Sequence, residues 1–169
     1  VVLQRVREFA DRRRGFLVLC GDESGPTQSI GTGKTHLAIA VLRLAPRGSR
    51  FITQNGFLRA LRATYNDRDA EDIVAACKRA PLLVLDEVGV SGGGKDELPA
   101  LHDVLDHRYG HLLPAILTSN LDYAGIRNAL GARMADRLSE CATVLSFAGQ
   151  SHRRQRREHY AAAPRTLHT

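Results

Sequence analysis

The segment Gly31-Thr32-Gly33-Lys34-Thr35 lies between an apolar run that ends near Gly21 and the start of an amphipathic stretch, an order that few folds accommodate. A strand running into a glycine-rich turn that opens a helix gathers backbone N–H groups and the positive helix end around one anion, such as a triphosphate. In that arrangement Lys34 reaches the β- and γ-phosphates, the Thr35 hydroxyl ligates Mg²⁺, and Gly31 and Gly33 permit the backbone turn. A chance glycine turn before a helix is the bland alternative, and the Gly-Lys-Thr order in this context argues against it. The full phosphate-loop pattern, G-x-x-x-x-G-K-[ST], places its first glycine at position 28, which is Gln28. Gly21 is the other candidate; residues 22–30 then stand where the pattern has two, an insertion of seven.

The remaining sequence alternates short apolar runs with amphipathic stretches, the pattern of an α/β fold with a mostly parallel sheet covered by helices. Strands are expected at residues 16–20, 50–53, 82–86, 115–118 and 143–147. Helices are expected at 35–44, 56–65, 70–79, 97–109 and 123–130, the last leading into 134–139. Residues 21–33 and Ser91-Gly92-Gly93-Gly94-Lys95 read as loops. With 169 residues, 43% of them hydrophobic, the chain has room for one domain but not two.

The third apolar run, Leu82-Leu83-Val84-Leu85, ends in Asp86-Glu87. Ligands of open α/β sheets collect at the carboxyl ends of strands, so both acids face the phosphate loop. Asp86 is placed to hold Mg²⁺ through water, and Glu87 to orient or deprotonate the water that attacks the γ-phosphate. Taken alone, two acids after a strand are ordinary surface residues; Lys34 upstream changes that reading. The run Pro114-Ala115-Ile116-Leu117-Thr118-Ser119-Asn120 ends at the same sheet edge, with Asn120 as a γ-phosphate and water sensor or as part of a plain turn.

The net charge of +6 and pI near 9.7 suit an acidic partner such as nucleic acid, while the preference for Arg over Lys is equally compatible with genome composition. The odd, widely separated cysteines Cys20, Cys77 and Cys141 lack metal-ligand spacing and read as buried free thiols. No apolar stretch approaches a membrane span or the core of a signal peptide, which leads to the expectation of a cytoplasmic, membrane-free protein.

In combination, Gly-Thr-Gly-Lys-Thr-His-Leu-Ala, Leu-Val-Leu-Asp-Glu-Val-Gly, Leu-Thr-Ser-Asn-Leu and Gly131-Ala132-Arg133-Met134-Ala135-Asp136-Arg137-Leu138 resemble the AAA+ domain of DnaC-type helicase loaders. The IstB transposition helper ATPases share most of these motifs, and the likeness spans roughly residues 3–154. It implies a P-loop AAA+ (ASCE) ATPase with a five-stranded, mostly parallel sheet and an absent or vestigial lid. The implied domain covers 1–154, followed by a basic, flexible tail at 155–169. Residue by residue, the resemblance makes Gly31, Thr32, Gly33, Lys34, Thr35 and His36 nucleotide-binding, Thr35 and Asp86 metal-binding, Glu87 catalytic and Asn120 the first sensor. Arg137 becomes an arginine finger serving a neighbouring subunit, with Arg133 as rival; a salt-bridged surface arginine is the bland reading. Ser151-His152-Arg153 stands where the loaders have Ser-Tyr-Arg, making Arg153 the second sensor or merely the start of the Arg153-Arg154-Gln155-Arg156-Arg157 tract.

The implied activity is slow ATP hydrolysis, dependent on a partner or DNA, by a homo-oligomer with ATP sites between subunits. It serves helicase loading onto single-stranded DNA with a replicative helicase as partner. The alternatives are a transposition helper acting on duplex DNA with a transposase, and a nucleotide-binding adaptor with little turnover. The resemblance also implies a helicase-gripping region N-terminal to such a domain. Arg59 and Arg62, on the helix expected after the second strand, face DNA in the resembling family, with Tyr65 stacking on a base; packing of Phe57, Leu58 and Leu61 explains that helix equally well.

Overall fold

Short apolar runs separated by amphipathic ones must bury both faces of a sheet, and the computed structural model shows how this chain does so. The structure describes residues 1–23, 30–66, 72–89 and 97–149, without the side chains of Tyr65, Asn66 and Glu97. Gln28, the loop 91–95, Arg153 and the tail 155–169 lie outside the described residues.

In chain order the elements are α1 (Val2–Arg12), β1 (Phe16–Gly21), α2 (Lys34–Arg43), β2 (Arg50–Thr53), α3 (Gln54–Asn66) and α4 (Ile73–Arg79). There follow β3 (Leu83–Asp86), α5 (Glu97–Gly110), β4 (Ala115–Thr118), α6 (Tyr123–Cys141) and β5 (Ala142–Phe147). The strands form one sheet in the order β2-β3-β4-β1-β5, and every pairing is parallel. Phe16, Leu83 and Ala115 lie side by side at the strand starts, so the strands also finish together at one edge. Because β4 lies between β1 and β3, the residues after it fall between the phosphate-loop segment and the acidic pair.

Burial follows the strand order. All residues of β1, β3 and β4 are buried, whereas the edge strands β2 and β5 are partly exposed. One apolar layer joins α3, α4, α5 and α6 to the sheet through Phe57, Leu61, Leu105, Leu117 and Leu138. The other joins α1 and α2 through Phe9, Val41, Leu19 and Ile116. Each such side chain contributes about 1.5–3 kcal/mol on burial, and Leu117→Ala, at the centre of the first layer, costs about 2–5 kcal/mol.

Several boundaries differ from the sequence expectations for identifiable reasons. Helix α1 was not anticipated: it buries only the narrow stripe of Val6 and Phe9, and it ends on the left-handed Arg13 (φ 45°) rather than on a glycine. Helix α4 begins at Ile73 because Asp72 is its N-cap, its carboxylate accepting from the Ala75 N–H at 3.0 Å. The two helical stretches expected after β4 form one element with a break at Gly131, whose φ of 77° and ψ of 165° suit glycine alone. All three cysteines are free, but Cys141 is only partly buried, because it lies at the junction of α6 with the edge strand β5.

Candidate nucleotide site

The glycine turn before α2, the first residues of α2 and the carboxyl ends of β3 and β4 border a cleft of about 480 Å³ lined by residues 30–36, Asp86, Glu87 and Thr118 to Asn120. Gly31, Thr32, Gly33, Lys34, Thr35, His36, Asp86, Glu87 and Asn120 are therefore brought to one place. Ligand clefts commonly have volumes of about 300–1,000 Å³.

Helix α2 starts at Lys34 after the left-handed Gly33 (φ 97°), with no side-chain cap. A Cβ added at Gly33 would meet nothing within 4 Å, but the backbone conformation itself demands glycine. Lys34 is buried, and its ammonium donates to Thr32 Oγ1 at 3.1 Å. Burial pushes the Lys34 pKa below the usual lysine value, while Cys20 and Asp86 pull it the other way. A buried cation at an uncapped helix start is a chemical match for a phosphate group.

Across the cleft, the Asp86 carboxylate accepts from Thr35 Oγ1 at 2.9 Å and also from Thr118 Oγ1. Thr118 Oγ1 in turn accepts from the Glu87 N–H at 3.2 Å, and its carbonyl accepts from the Val88 N–H at 2.8 Å. These bonds hold Glu87 in a left-handed conformation (φ 61°) that costs a non-glycine residue about 1–3 kcal/mol. Asp86 is buried while Glu87 is exposed, so one acid is built into the framework and the other is accessible to a ligand. Gly89 follows, its N–H donating to Gln54 Oε1 at 2.9 Å, and Ser119 Oγ donates to the Val88 carbonyl at 2.6 Å.

Magnesium is held by few protein oxygens together with waters and substrate phosphates. Thr35 Oγ1 and the Asp86 carboxylate, already in contact, fit that donor set.

Thr118, Ser119 and Gln54 escaped the sequence reading as site residues. The available signal was their polarity at strand ends, where apolar residues otherwise prevail. Gly21 belongs to β1, with its N–H donating to the Leu121 carbonyl at 2.7 Å. Arg137 does not reach this cleft: it forms an ion pair with Asp106, and its guanidinium lies 5.1 Å from the centroid of the Tyr109 ring. Arg133 contacts the same Asp106 at 3.0 Å and is far more exposed, 78% against 22% for Arg137. On α3, Phe57, Leu58 and Leu61 are buried and Arg59 and Arg62 exposed.

The profile of the IstB-like ATP binding proteins matches residues 12–160. The chain belongs to that family. Within it, the cleft and its phosphate-loop segment are the features an ATP-binding protein requires. Among curated relatives, the uncharacterized protein YdaV of Escherichia coli (strain K12) is 35% identical over 113 residues, covering 64% of this chain and 46% of YdaV. The replicative helicase loader DnaC of the same strain is 29% identical over 113 residues, with the same coverage. The chain thus spans about half the length of the curated relatives it matches. A crystal structure of the DnaC helicase loader superimposes with a TM-score of 0.69 at 23% identity, covering 86% of this chain and 88% of that one. The fold is that of the P-loop AAA+ domains.

Proposed function

We propose that this IstB-like chain is an ATP-hydrolysing switch of the DnaC loader kind, which helps to place a replicative helicase on single-stranded DNA. The observation that carries this reading is the linkage of Thr35, Asp86, Thr118 and Glu87 around one cleft opposite the buried Lys34. Lys34, with the backbone of Gly31, Thr32 and Gly33, holds the phosphates of ATP, and His36 borders them. Thr35 and Asp86 hold Mg²⁺, which supplies charge neutralisation on the phosphates. Glu87 orients the attacking water and takes its proton, and Asn120 contacts the same water and the γ-phosphate. Arg153 is the second sensor of the γ-phosphate, a role that rests on its Ser-His-Arg context.

Copies of the chain associate through the ATP site, with Arg137 approaching a neighbour's phosphates. Its ion pair with Asp106 is exchanged for that contact, while the exposed Arg133 remains on the carboxylate. Turnover is slow and is stimulated by DNA or the helicase, in the cytoplasm. A transposition helper acting on duplex DNA with a transposase is the second reading, favoured by the family match.

The test measures ATP binding and phosphate release, with and without single-stranded DNA and helicase, for wild type, Lys34→Ala, Glu87→Gln and Arg137→Ala. Lys34→Ala should lose ATP, and Glu87→Gln should bind it without releasing phosphate. Mixing Arg137→Ala with Lys34→Ala should restore part of the activity, because one contributes the ATP site and the other the arginine. Retention of ATP by Lys34→Ala defeats the proposal, and stimulation by duplex DNA with a transposase instead supports the second reading.

A further inference from the structure

The opposite edge of the sheet, where the strands begin, has a concentration of positive charge that the nucleotide site does not use. Helices α1, α2 and α4 end there on Arg12, Arg43 and Arg79, and the connections that follow add Arg13, Arg14 and Arg47. All six are exposed. Their proximity is fixed by contacts: Arg13 Nη2 donates to the Leu44 carbonyl at 3.1 Å, joining the ends of α1 and α2. A Cβ placed at Gly48 would lie 3.6 Å from Pro81, joining the loop that carries Arg47 to the segment just after Arg79.

A bland account exists for half of this charge. A cation in the last turn of a helix complements the negative end of its dipole, which explains Arg12, Arg43 and Arg79. It does not explain Arg14 and Arg47 in the connections. Nor does it explain why Arg12, Arg14, Arg43, Arg47 and Arg79 form no ion pair among the described residues, although the chain carries 18 acidic residues. Asp11, next to Arg12 in sequence, is exposed, whereas Asp103 is taken by Lys78 at 2.6 Å and Glu140 by Tyr109.

We infer that this edge is a docking surface for the phosphate backbone of duplex DNA, separate from the ATP cleft. Three strand spacings separate the starts of β1 and β2 in the sheet, a width of about 14 Å. A duplex stretch of that length carries roughly eight phosphate charges on its two strands, about half of them turned towards one surface, a number matched by Arg12, Arg14, Arg43 and Arg47. Duplex is the better match than single strand because strand-tracking surfaces stack successive unstacked bases on a row of aromatic platforms, whereas among the described residues Phe51 is the one exposed aromatic at this edge, beside Leu44, Pro46 and Gly48. The contacts would be to phosphates without reading sequence, setting the position of the protein on DNA.

The test follows binding of the full 169-residue chain to a labelled duplex by anisotropy across salt concentrations, comparing wild type with Arg43→Gln/Arg47→Gln and Arg12→Gln/Arg14→Gln. Each pair should lower the slope of log affinity against log salt by about 2, close to 0.9 for each phosphate that no longer has an arginine to neutralise it. Affinity for a fluorescent ATP analogue and the melting temperature should stay at wild-type values, which separates this surface from the cleft and from misfolding. Should a Gln pair lower the melting temperature, the corresponding Lys pair, which retains charge, must preserve the salt slope. Wild-type duplex affinity and slope in both pairs overturn the proposal. So does a loss confined to a single-stranded oligonucleotide, or to vesicles rich in phosphatidylglycerol.

Discussion

At the carboxyl ends of the strands, α2 starts without a side-chain cap and Lys34 and Glu87 border an open cleft; at the amino ends, backbone carbonyls are covered by guanidinium groups. Arg108 shows the second treatment most fully. It is completely buried, Nη1 donating to the carbonyls of Cys77 at 2.7 Å and Ala80 at 2.9 Å, and Nη2 to that of Pro114 at 2.5 Å. Burial lowers its pKa to about 10, and the carbonyls it holds belong to the end of α4 and the entry to β4. A parallel sheet segregates these chemistries, since each right-handed crossover brings a helix start to one edge and a helix end to the other. The edge with free donors can bind an anion, whereas the edge with acceptors must be closed by cations or remain wet.

Variants at the two edges should therefore fail in different ways. Glu87→Gln should lower phosphate release by about 10²–10⁴-fold while ATP binding and the urea midpoint hold, checked by single-turnover kinetics beside equilibrium unfolding. Loss of ATP binding in that variant would mean that the carboxylate is structural. Arg108→Met should do the reverse, costing about 3–5 kcal/mol in urea unfolding because several buried carbonyls lose their donor, with little change in ATP affinity per folded molecule. If that variant is as stable as wild type, the contrast between the edges collapses. Gly131→Ala should cost about 1–3 kcal/mol, since alanine strains at φ 77° and ψ 165° even though a Cβ there meets nothing within 4 Å. Asp72→Ala should cost about 1 kcal/mol through loss of the cap on α4, with Asn restoring most of it.

The smallest effect is in pH dependence. Because burial lowers the Lys34 pKa below 10.5, the cleft loses its cation earlier than an ordinary lysine would. ATP affinity should therefore begin to fall at a lower pH than for an exposed lysine, read by titrating a fluorescent analogue on the alkaline side. Arginine at position 34 should abolish that pH dependence whatever it does to affinity.

Much of this was legible in the residues themselves. The strand, glycine loop and helix around Lys34 and the acids after Leu85 depend on neighbours in sequence, where apolar runs, glycine and backbone geometry act directly. Boundaries missed by a residue or more, as at Asp72, were settled by a cap, and α1 was missed because two buried side chains are a faint periodic signal. Thr118, Gln54 and Arg108 were not legible as key residues. Thr118 meets Asp86 across 32 positions, and Arg108 meets Cys77 across 31, so no local pattern reports either pairing.

What the sequence by itself determined is that residues 31–35 carry a phosphate-loop motif running from a glycine turn into the start of α2 and that an acidic pair ends a buried strand. What only the tertiary structure decided is the order β2-β3-β4-β1-β5, which brings Thr118 against Asp86 and the Glu87 N–H, and the packing of α6 on α5 that pairs Arg137 with Asp106. The reason is physical: local geometry follows from short-range sterics and hydrophobic period, whereas strand order depends on which apolar faces pack together. That packing sets which distant polar groups meet.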